Sequence, residues 1–242
     1  FFQTEADTFR TIADELGLIR LSGEEEPLRY CRHPLVFLVE AADDICYQMM
    51  DIEDAYKLKI LTREETISLL TPFIEEHKRG HLTEVLGMVT DHNEQIAYLR
   101  SKVIGILIDE CADAFMCHEE EILNGSFSEP LIKYTSERCR QAYKHCSEVA
   151  VKKIYRSRDV LDIELAGFRI INTLIELMVD AAIKPDNAYS RLLIDRVSSQ
   201  YDLHAPTLYG KVQAVFDYIS GMTDVFALDL YRKINGNSLP AV

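Results

Sequence analysis

Three side chains suited to binding a cation or a sugar recur every fourth residue in the segment 33–58, HPLVFLVEAADDICYQMMDIEDAYKL. Asp43, Tyr47 and Asp51 fall close to one stripe of an α-helix, because residues four apart lie one above the other. The stripe covers about 12 Å along the helix axis, roughly the length of a nucleotide sugar with its phosphates. Asp44, Glu53 and Asp54 of the same segment point elsewhere.

These acids allow two interpretations. The apolar or small neighbours predict a largely enclosed helix, where a carboxylate is costly without a cation beside it: Leu38, Val39, Ala41, Ala42 and Ile45. In the first interpretation the acids face water or pair with Arg32, Lys57 or Lys59. In the second, Asp43 ligates a hard divalent cation, which needs His partners or further acids as well. The spacing leaves both interpretations open.

The composition narrows the class of protein. The chain has 242 residues, 48% of them hydrophobic, and its 10 Gly and 7 Pro leave few turns, which favours long helices. A net charge of −14 argues against a general nucleic-acid coat. No apolar run approaches the roughly 20 residues that span a bilayer, and the first residues do not resemble a signal peptide. The chain begins with Phe1 instead of Met, which indicates a fragment or a processed product.

The cysteines and histidines form no recognisable metal site. Six cysteines occur without a Cys-x-x-Cys spacing, so most are expected to be reduced, buried thiols of a cytoplasmic protein. Cys139 and Cys146 are the nearest to a zinc cluster, but their spacing fits no common structural site. His77 and His81 are four apart, yet Gly80 between them favours a helix end over a metal-binding face.

The apolar spacing predicts an all-α, irregular multi-helix fold. The expected helices are one from the cap Thr4 to about Gly17, one from Pro34 to about Leu61, one capped by Thr62 and split near Pro72, one long or two consecutive helices over 81–123, and three further helices that begin at Asp159, at Asp186 or Asn187, and at Pro206. The segment 124–130 reads as a loop, and KKIYRS, 152–157, as a strand or extended piece.

Two long motifs carry a resemblance to a known family. RHPLVFLVEAADDICYQMMDIEDA and DYISGMTDVFALDLYRKI resemble, in order, segments of bacterial deoxyguanosine triphosphate triphosphohydrolases, which are HD-domain phosphohydrolases. VLDIELAGFRIINTLIELM and FFQTEADTF are similar as well, so the resemblance covers essentially the whole chain. That family binds its metal through a His, a His-Asp doublet and a final Asp. No His-Asp doublet occurs here, so the chain resembles the C-terminal portion of such an enzyme.

The resemblance implies a role for each residue of the stripe. Asp43 corresponds to the last metal ligand, for Mn²⁺ or Mg²⁺. Tyr47 would pack against the deoxyribose, where a ribose 2′-hydroxyl would clash, and Asp51 would accept a hydrogen bond from the 3′-hydroxyl. Asp44 would support the site or local structure.

Three further residues correspond to substrate-binding positions in a more divergent stretch. Tyr155 would lie near the base, Glu164 would accept from guanine N–H groups, and Arg191 would be a basic group near the substrate. The alternatives are an ordinary half-buried aromatic, a surface acid and a helix salt bridge with Asp195, respectively.

The resemblance also implies an activity and partners. The reaction is hydrolysis of dGTP, or of other dNTPs, to deoxynucleoside and triphosphate, and this chain alone is expected to be inactive. Residues 1–75 would complete the HD catalytic core, and residues 76–242 would complete the substrate pocket and oligomer contacts. The expected partners are the missing N-terminal half, further copies, often as a hexamer, and single-stranded DNA as an effector, although the charge of −14 argues against DNA. A non-catalytic helical regulatory module and an HD phosphohydrolase of other nucleotide specificity remain alternatives.

Overall fold

The computed structural model describes residues 1–238, and within that range the fold is all-α, as predicted. Strand pairing within residues 1–238 is limited to an isolated bridge between Arg20 and Tyr30. The chain divides into two compact units, Phe1–Ser157 and the residues from Arg158 onward. The helices of the first unit are α1 (Ala6–Glu15), α2 (Pro34–Lys57), α3 (Arg63–Leu70), α4 (Arg79–Met88), α5 (His92–Cys117), α6 (Glu119–Leu123), α7 (Glu137–Val149) and a π-helix (Ala150–Ile154), with 3-10 turns at Gln3–Glu5, Thr71–Phe73, Glu76–Lys78 and Leu131–Tyr134.

The core of the first unit is built on the packing of α2 against α5. The buried side chains of both helices recur at intervals of three or four, and include Ile45, Met49 and Ile52 of α2 and Leu99, Val103 and Leu107 of α5. Each fully buried Ile or Leu of this kind contributes roughly 1.5–3 kcal/mol. The buried Glu53 accepts a charged hydrogen bond from Arg100 of α5, and this ion pair ties the two helices together.

The helix α2 begins where the sequence predicted. Pro34 occupies its first turn, and the backbone N–H of Leu35 donates to Nδ1 of His33, the N-cap, over 3.2 Å. Its end is earlier than the predicted Leu61. The chain turns at Lys59, whose φ of 61° is incompatible with continuing the helix.

The segment 81–123 contains consecutive helices, which is one of the two predicted arrangements. It is interrupted at Val89–Asp91, because the Asp91 carboxylate accepts from the N–H groups of the next turn and starts α5 anew. Two other predictions are wrong. The first helix starts at Ala6, not after a Thr4 cap. The predicted extended piece at 152–157 instead continues α7 as the π-helix, in which the N–H of Tyr155 donates to the carbonyl of Ala150.

The start of α7 is held by Glu110 of α5. Its carboxylate accepts hydrogen bonds from the Ser136 N–H (2.6 Å) and hydroxyl (2.8 Å), the Cys139 thiol (3.1 Å) and Arg138 (3.1 Å). Burial alone would raise the pKa of Glu110, but the hydrogen bonds from Cys139 and Ser136 and the Arg138 charge outweigh it and lower the pKa. Burial and the bond to Glu110 raise the pKa of the Cys139 thiol to about 11.

Over residues 158–238, the second unit contains four helices with a core of their own. They are α8 (Arg158–Ile183), α9 (Ala188–Asp195), α10 (Leu208–Ser220) and α11 (Asp224–Ile234). The predicted last helix is therefore two helices, because Thr223 caps a new one. The core includes Leu174, Met178, Val215 and Leu230.

All six cysteines are free, and Cys111, Cys139 and Cys146 are buried, so half of them fit the expected buried thiols. A search of residues 1–238 found no helix with the length and apolarity that crossing a membrane requires.

Candidate active site

The predicted stripe exists on α2, but it lies on an open face of the helix. Asp43 is exposed, Tyr47 is 62% exposed and Asp51 is half-buried. The expectation of a largely enclosed helix is wrong, because Val39 is 69% exposed and Ala42 is also exposed. The helix buries one face against α5 and presents the stripe on another, since only one side of a helix can face a single neighbouring helix.

The exposed face around Asp43 is apolar. It carries the large side chains Leu35, Val36, Val39, Tyr47 and Met50, each at least 38% exposed. Exposed apolar side chains gathered on one helix face are typical of a surface that another polypeptide or a ligand covers. Asp43 therefore lies in water in this chain, but within a surface of the type that proteins bury.

Asp51 and Tyr155 form the best-defined contact of the stripe. The Tyr155 hydroxyl donates a hydrogen bond to Oδ2 of Asp51, although the two residues are 104 positions apart. Tyr155 follows the π-helix directly, and the extra residue in that turn shifts the direction in which later side chains project. Burial and the bond to Asp51 raise the pKa of Tyr155, so its hydroxyl stays protonated and remains a donor.

Two further hydrogen bonds join α2 to α7 above this contact. The Tyr143 hydroxyl donates to the backbone carbonyl of Asp44 over 3.1 Å, and the Ser147 hydroxyl donates to Oε1 of Gln48 over 2.7 Å. The two donors are four residues apart on α7, and the two acceptors are four residues apart on α2. The helices are therefore joined at two points, one turn apart on each. Burial raises the pKa of Tyr143 to about 12. We call these two hydrogen bonds, from Tyr143 and Ser147, the polar seam. The seam fixes the rotation of α2 about its axis, and with it the direction of the stripe.

The sequence did not single out Gln48, Tyr143 or Ser147. Gln48 stands four residues after Asp44, so helical spacing could have placed the two together. Nothing local could have indicated that Tyr143 and Ser147 face them, because the pairing is between segments 99 residues apart.

The acids of α2 divide into paired and unpaired groups. Lys57 pairs with Glu53 at 3.3 Å and Asp54 at 3.6 Å, and Arg32 pairs with Glu40 at 2.6 Å. Within residues 1–238, Asp43, Asp44 and Asp51 have no basic group within 4.0 Å. The first interpretation therefore holds for Glu53 and Asp54, which pair with Lys57, and also for Asp43, which faces water.

Asp44 differs from its neighbour in its electrostatics. Burial, the charge of Glu40 and the charge of Asp43 together raise the pKa of Asp44. A second carboxylate this close makes the site unfavourable for two free negative charges. Asp44 is therefore protonated more readily than an isolated carboxylate.

The residues described here do not hold a divalent cation by themselves. No group of three His, Cys, Asp or Glu side chains suited to a metal occurs among residues 1–238. His77 lies 3.3 Å from Glu75 and His81 lies 3.8 Å from Glu84, so each imidazole faces its own acid. Asp43 offers one carboxylate, and further ligands would have to come from another polypeptide segment.

Glu164 and Arg191 lie in the second unit. Glu164 is an exposed residue of α8. The Arg191 guanidinium donates to the backbone carbonyl of Asp186 over 3.0 Å at the start of α9, and does not pair with Asp195 in this structure. Their roles toward a base or a phosphate stay predictions.

The chain is similar to a known domain family and to several curated proteins. Residues 133–233 match the phosphohydrolase-associated domain. A deoxyguanosinetriphosphate triphosphohydrolase-like protein of Synechocystis is 32% identical, over 99% of this chain and 52% of the relative. A protein of the same description from Pseudomonas aeruginosa is 27% identical, over 99% and 54%, and a deoxyguanosinetriphosphate triphosphohydrolase of Yersinia pestis is 26% identical, over 92% and 52%.

The chain corresponds to the C-terminal portion of the deoxyguanosinetriphosphate triphosphohydrolase-like proteins. It spans about half the length of the curated relatives it matches. The resemblance read from the sequence is thereby confirmed. The matched phosphohydrolase-associated domain begins at residue 133 and ends at residue 233, so it crosses the boundary between the two compact units. The sequence predicted a change of role after residue 75, whereas the two compact units are divided after Ser157. The predicted roles of residues 1–75 and 76–242 stay predictions.

Proposed function

We propose that this chain is the C-terminal half of a metal-dependent hydrolase that converts dGTP, or another dNTP, into deoxynucleoside and triphosphate. The observation that carries the proposal is the Asp43–Tyr47–Asp51 stripe, which points away from the core of a triphosphohydrolase-like chain and whose last member is held by Tyr155. The stripe combines a carboxylate, an aromatic ring and a second, positioned carboxylate. These are the groups that a cation, a sugar ring and a sugar hydroxyl would each need.

Each residue of the stripe has a separate role in the proposal. Asp51 accepts a hydrogen bond from the 3′-hydroxyl, and Tyr155 fixes the rotamer of Asp51 by occupying one lone pair of its carboxylate. The exposed ring of Tyr47 lies one turn away and packs against the sugar face, where an added 2′-hydroxyl would clash. Positioning of this kind contributes to rate because the reacting bond is held in place before the reaction starts.

Asp43 supplies one ligand to Mn²⁺ or Mg²⁺, and histidines from the missing N-terminal half supply the others. A divalent ion at this place would polarise the reacting phosphate and lower the pKa of a bound water. The apolar surface around Asp43 supports the proposal, because the N-terminal half would bury it and exclude water from the carboxylate. The chain alone is therefore inactive in this proposal. Assembly of several copies, a DNA effector and a cytoplasmic location belong to the same proposal and stay predictions.

Replacement of Asp43 in the intact protein tests the proposal. Asp43→Ala should abolish triphosphate release from dGTP and weaken Mn²⁺ binding measured by titration calorimetry, without changing the helical circular dichroism. Asp54→Ala is the matched control, because Asp54 is an exposed acid of the same helix about 16 Å further along its axis. Triphosphate release by Asp43→Ala at the rate of the control would overturn the assignment.

The same experiment separates the alternatives. If the intact protein neither releases triphosphate nor binds Mn²⁺, the chain belongs to a non-catalytic helical module. If it hydrolyses other nucleotides in preference to dGTP and Asp43→Ala still abolishes turnover, the site assignment stands and only the base specificity changes.

A further inference from the structure

A pocket lies on the first unit, between α4, the 3-10 turn before it, and α5. It encloses about 480 Å³, which is within the size range of small-molecule sites. Its lining consists of Ile74, His77, Lys78, His81, Leu82, Tyr98, Lys102 and Ile106. None of these residues belongs to the stripe on α2 or to its supporting seam.

The floor of this pocket is apolar and its rim is basic. Ile74 and Leu82 are each only 6% exposed, and Tyr98 packs against the core as a half-buried ring. The rim carries the ammonium groups of Lys78 and Lys102 and two imidazoles. Three of these four groups face a carboxylate, since His77 and Lys78 lie beside Glu75 and His81 lies beside Glu84.

Lys102 is the basic group that is free to bind a ligand. Lys78 lies 3.0 Å from Glu75, so an anion would have to share it with that carboxylate. Among residues 1–238, no carboxylate lies within 4.0 Å of the Lys102 ammonium, which instead stands 5.7 Å from the centre of the Tyr98 ring. The Lys102 ammonium therefore lies over the face of the Tyr98 ring, and both side chains line the cavity.

We propose that this pocket binds a phosphate monoester with an apolar or aromatic body. The body would lie against Tyr98, Leu82 and Ile74, and the phosphate would be bound by Lys102 at the rim. A phosphate monoester carries close to two negative charges at neutral pH and offers three acceptor oxygens, so it can engage Lys102 and Lys78 together. A carboxylate carries one charge and can satisfy fewer of these donors.

Phenyl phosphate is the probe, because it combines the two features in the smallest molecule. Titration calorimetry on the 242-residue chain should show saturable binding of phenyl phosphate, and weaker binding of both inorganic phosphate and benzoate. Lys102→Met should weaken the binding of phenyl phosphate about tenfold, through loss of one charge-assisted hydrogen bond. Tyr98→Leu should weaken it about fivefold, through loss of the aromatic contact.

Lys144→Met is the matched control, because Lys144 is an exposed lysine of α7 outside the pocket, and its replacement changes the net charge equally. Lys102 is exposed, so its variant should keep the circular dichroism spectrum and thermal midpoint of the parent. Absence of saturable binding, equal weakening by the control variant, or equal affinity for inorganic phosphate or benzoate would each overturn the proposal.

Discussion

Gly125, in the loop after α6, packs closely against Cys31 in the segment before α2. Gly125 has a φ of 75°, a conformation that costs a residue with a Cβ about 1 kcal/mol. A Cβ at this position would also stand 2.5 Å from Sγ and 3.2 Å from Cβ of Cys31, two residues before the cap of α2. Rotation of the Cys31 side chain can relieve the first contact but not the second. Overpacking of this kind adds about 1–3 kcal/mol.

Gly125→Ala should therefore destabilise the first unit by about 2–4 kcal/mol, the sum of these two costs. Gly17→Ala is the matched control in the same unit, because Gly17 has a φ of 66° and no atom within 4 Å of the added Cβ. It should lose only the backbone part, about 1 kcal/mol. The lower entropy of the unfolded alanine chain is common to both variants and cancels in their difference.

The assay is urea denaturation followed by far-UV circular dichroism, because the chain has no tryptophan to report on folding by fluorescence. Adding Cys31→Ala to Gly125→Ala removes the closest clashing atom and should recover part of the loss, which a double-mutant cycle measures. Equal destabilisation by Gly125→Ala and Gly17→Ala, with no coupling to Cys31, would refute the reasoning.

Three other predictions concern the stripe and the start of α7. Tyr47→Ala in the intact protein should allow GTP to be hydrolysed beside dGTP, because the ring no longer obstructs a 2′-hydroxyl; unchanged discrimination in a competition assay would remove that role. Tyr155→Phe should raise the KM for dGTP about tenfold, since Asp51 loses the donor that positions it. An unaltered KM in steady-state kinetics would show that Asp51 keeps its position without the hydrogen bond from Tyr155. The lowered pKa of Glu110 means that the native state binds fewer protons than the unfolded chain, so stability should fall as the pH drops below about 4.3. Glu110→Gln should flatten this part of the stability profile in acid titrations of thermal unfolding, and a slope equal to that of the parent would contradict the assignment.

Local signals in the sequence identified the helices and many of their ends. Pro34 starts α2, and the Thr62 hydroxyl and the Glu65 carboxylate form the reciprocal cap of α3. The helix then gives way to a 3-10 turn at Pro72, as expected from its missing N–H. These features were readable because each depends on residues within one turn of one another.

Other features of the fold were misread for the opposite reason. KKIYRS was predicted as a strand or extended piece, yet the preceding helix α7 continues into it, as far as Ile154, as a π-helix. The energy of packing α7 and its continuation against the core overrides the local preference. The predicted last helix is divided at Thr223, because its hydroxyl accepts a hydrogen bond from the Phe226 N–H and starts a new helix.

For the candidate site, the sequence by itself determined which three side chains share a stripe, because a helical repeat of 3.6 residues fixes that much. It also determined, through the resemblance of its motifs, which family the chain is related to. Only the tertiary structure decided that the stripe is open to solvent, that Tyr155 bonds to Asp51, and that Tyr143 and Ser147 set the rotation of α2. The physical reason is that burial and side-chain pairing depend on segments about 100 residues apart, and helical periodicity carries no information about which face meets which neighbour.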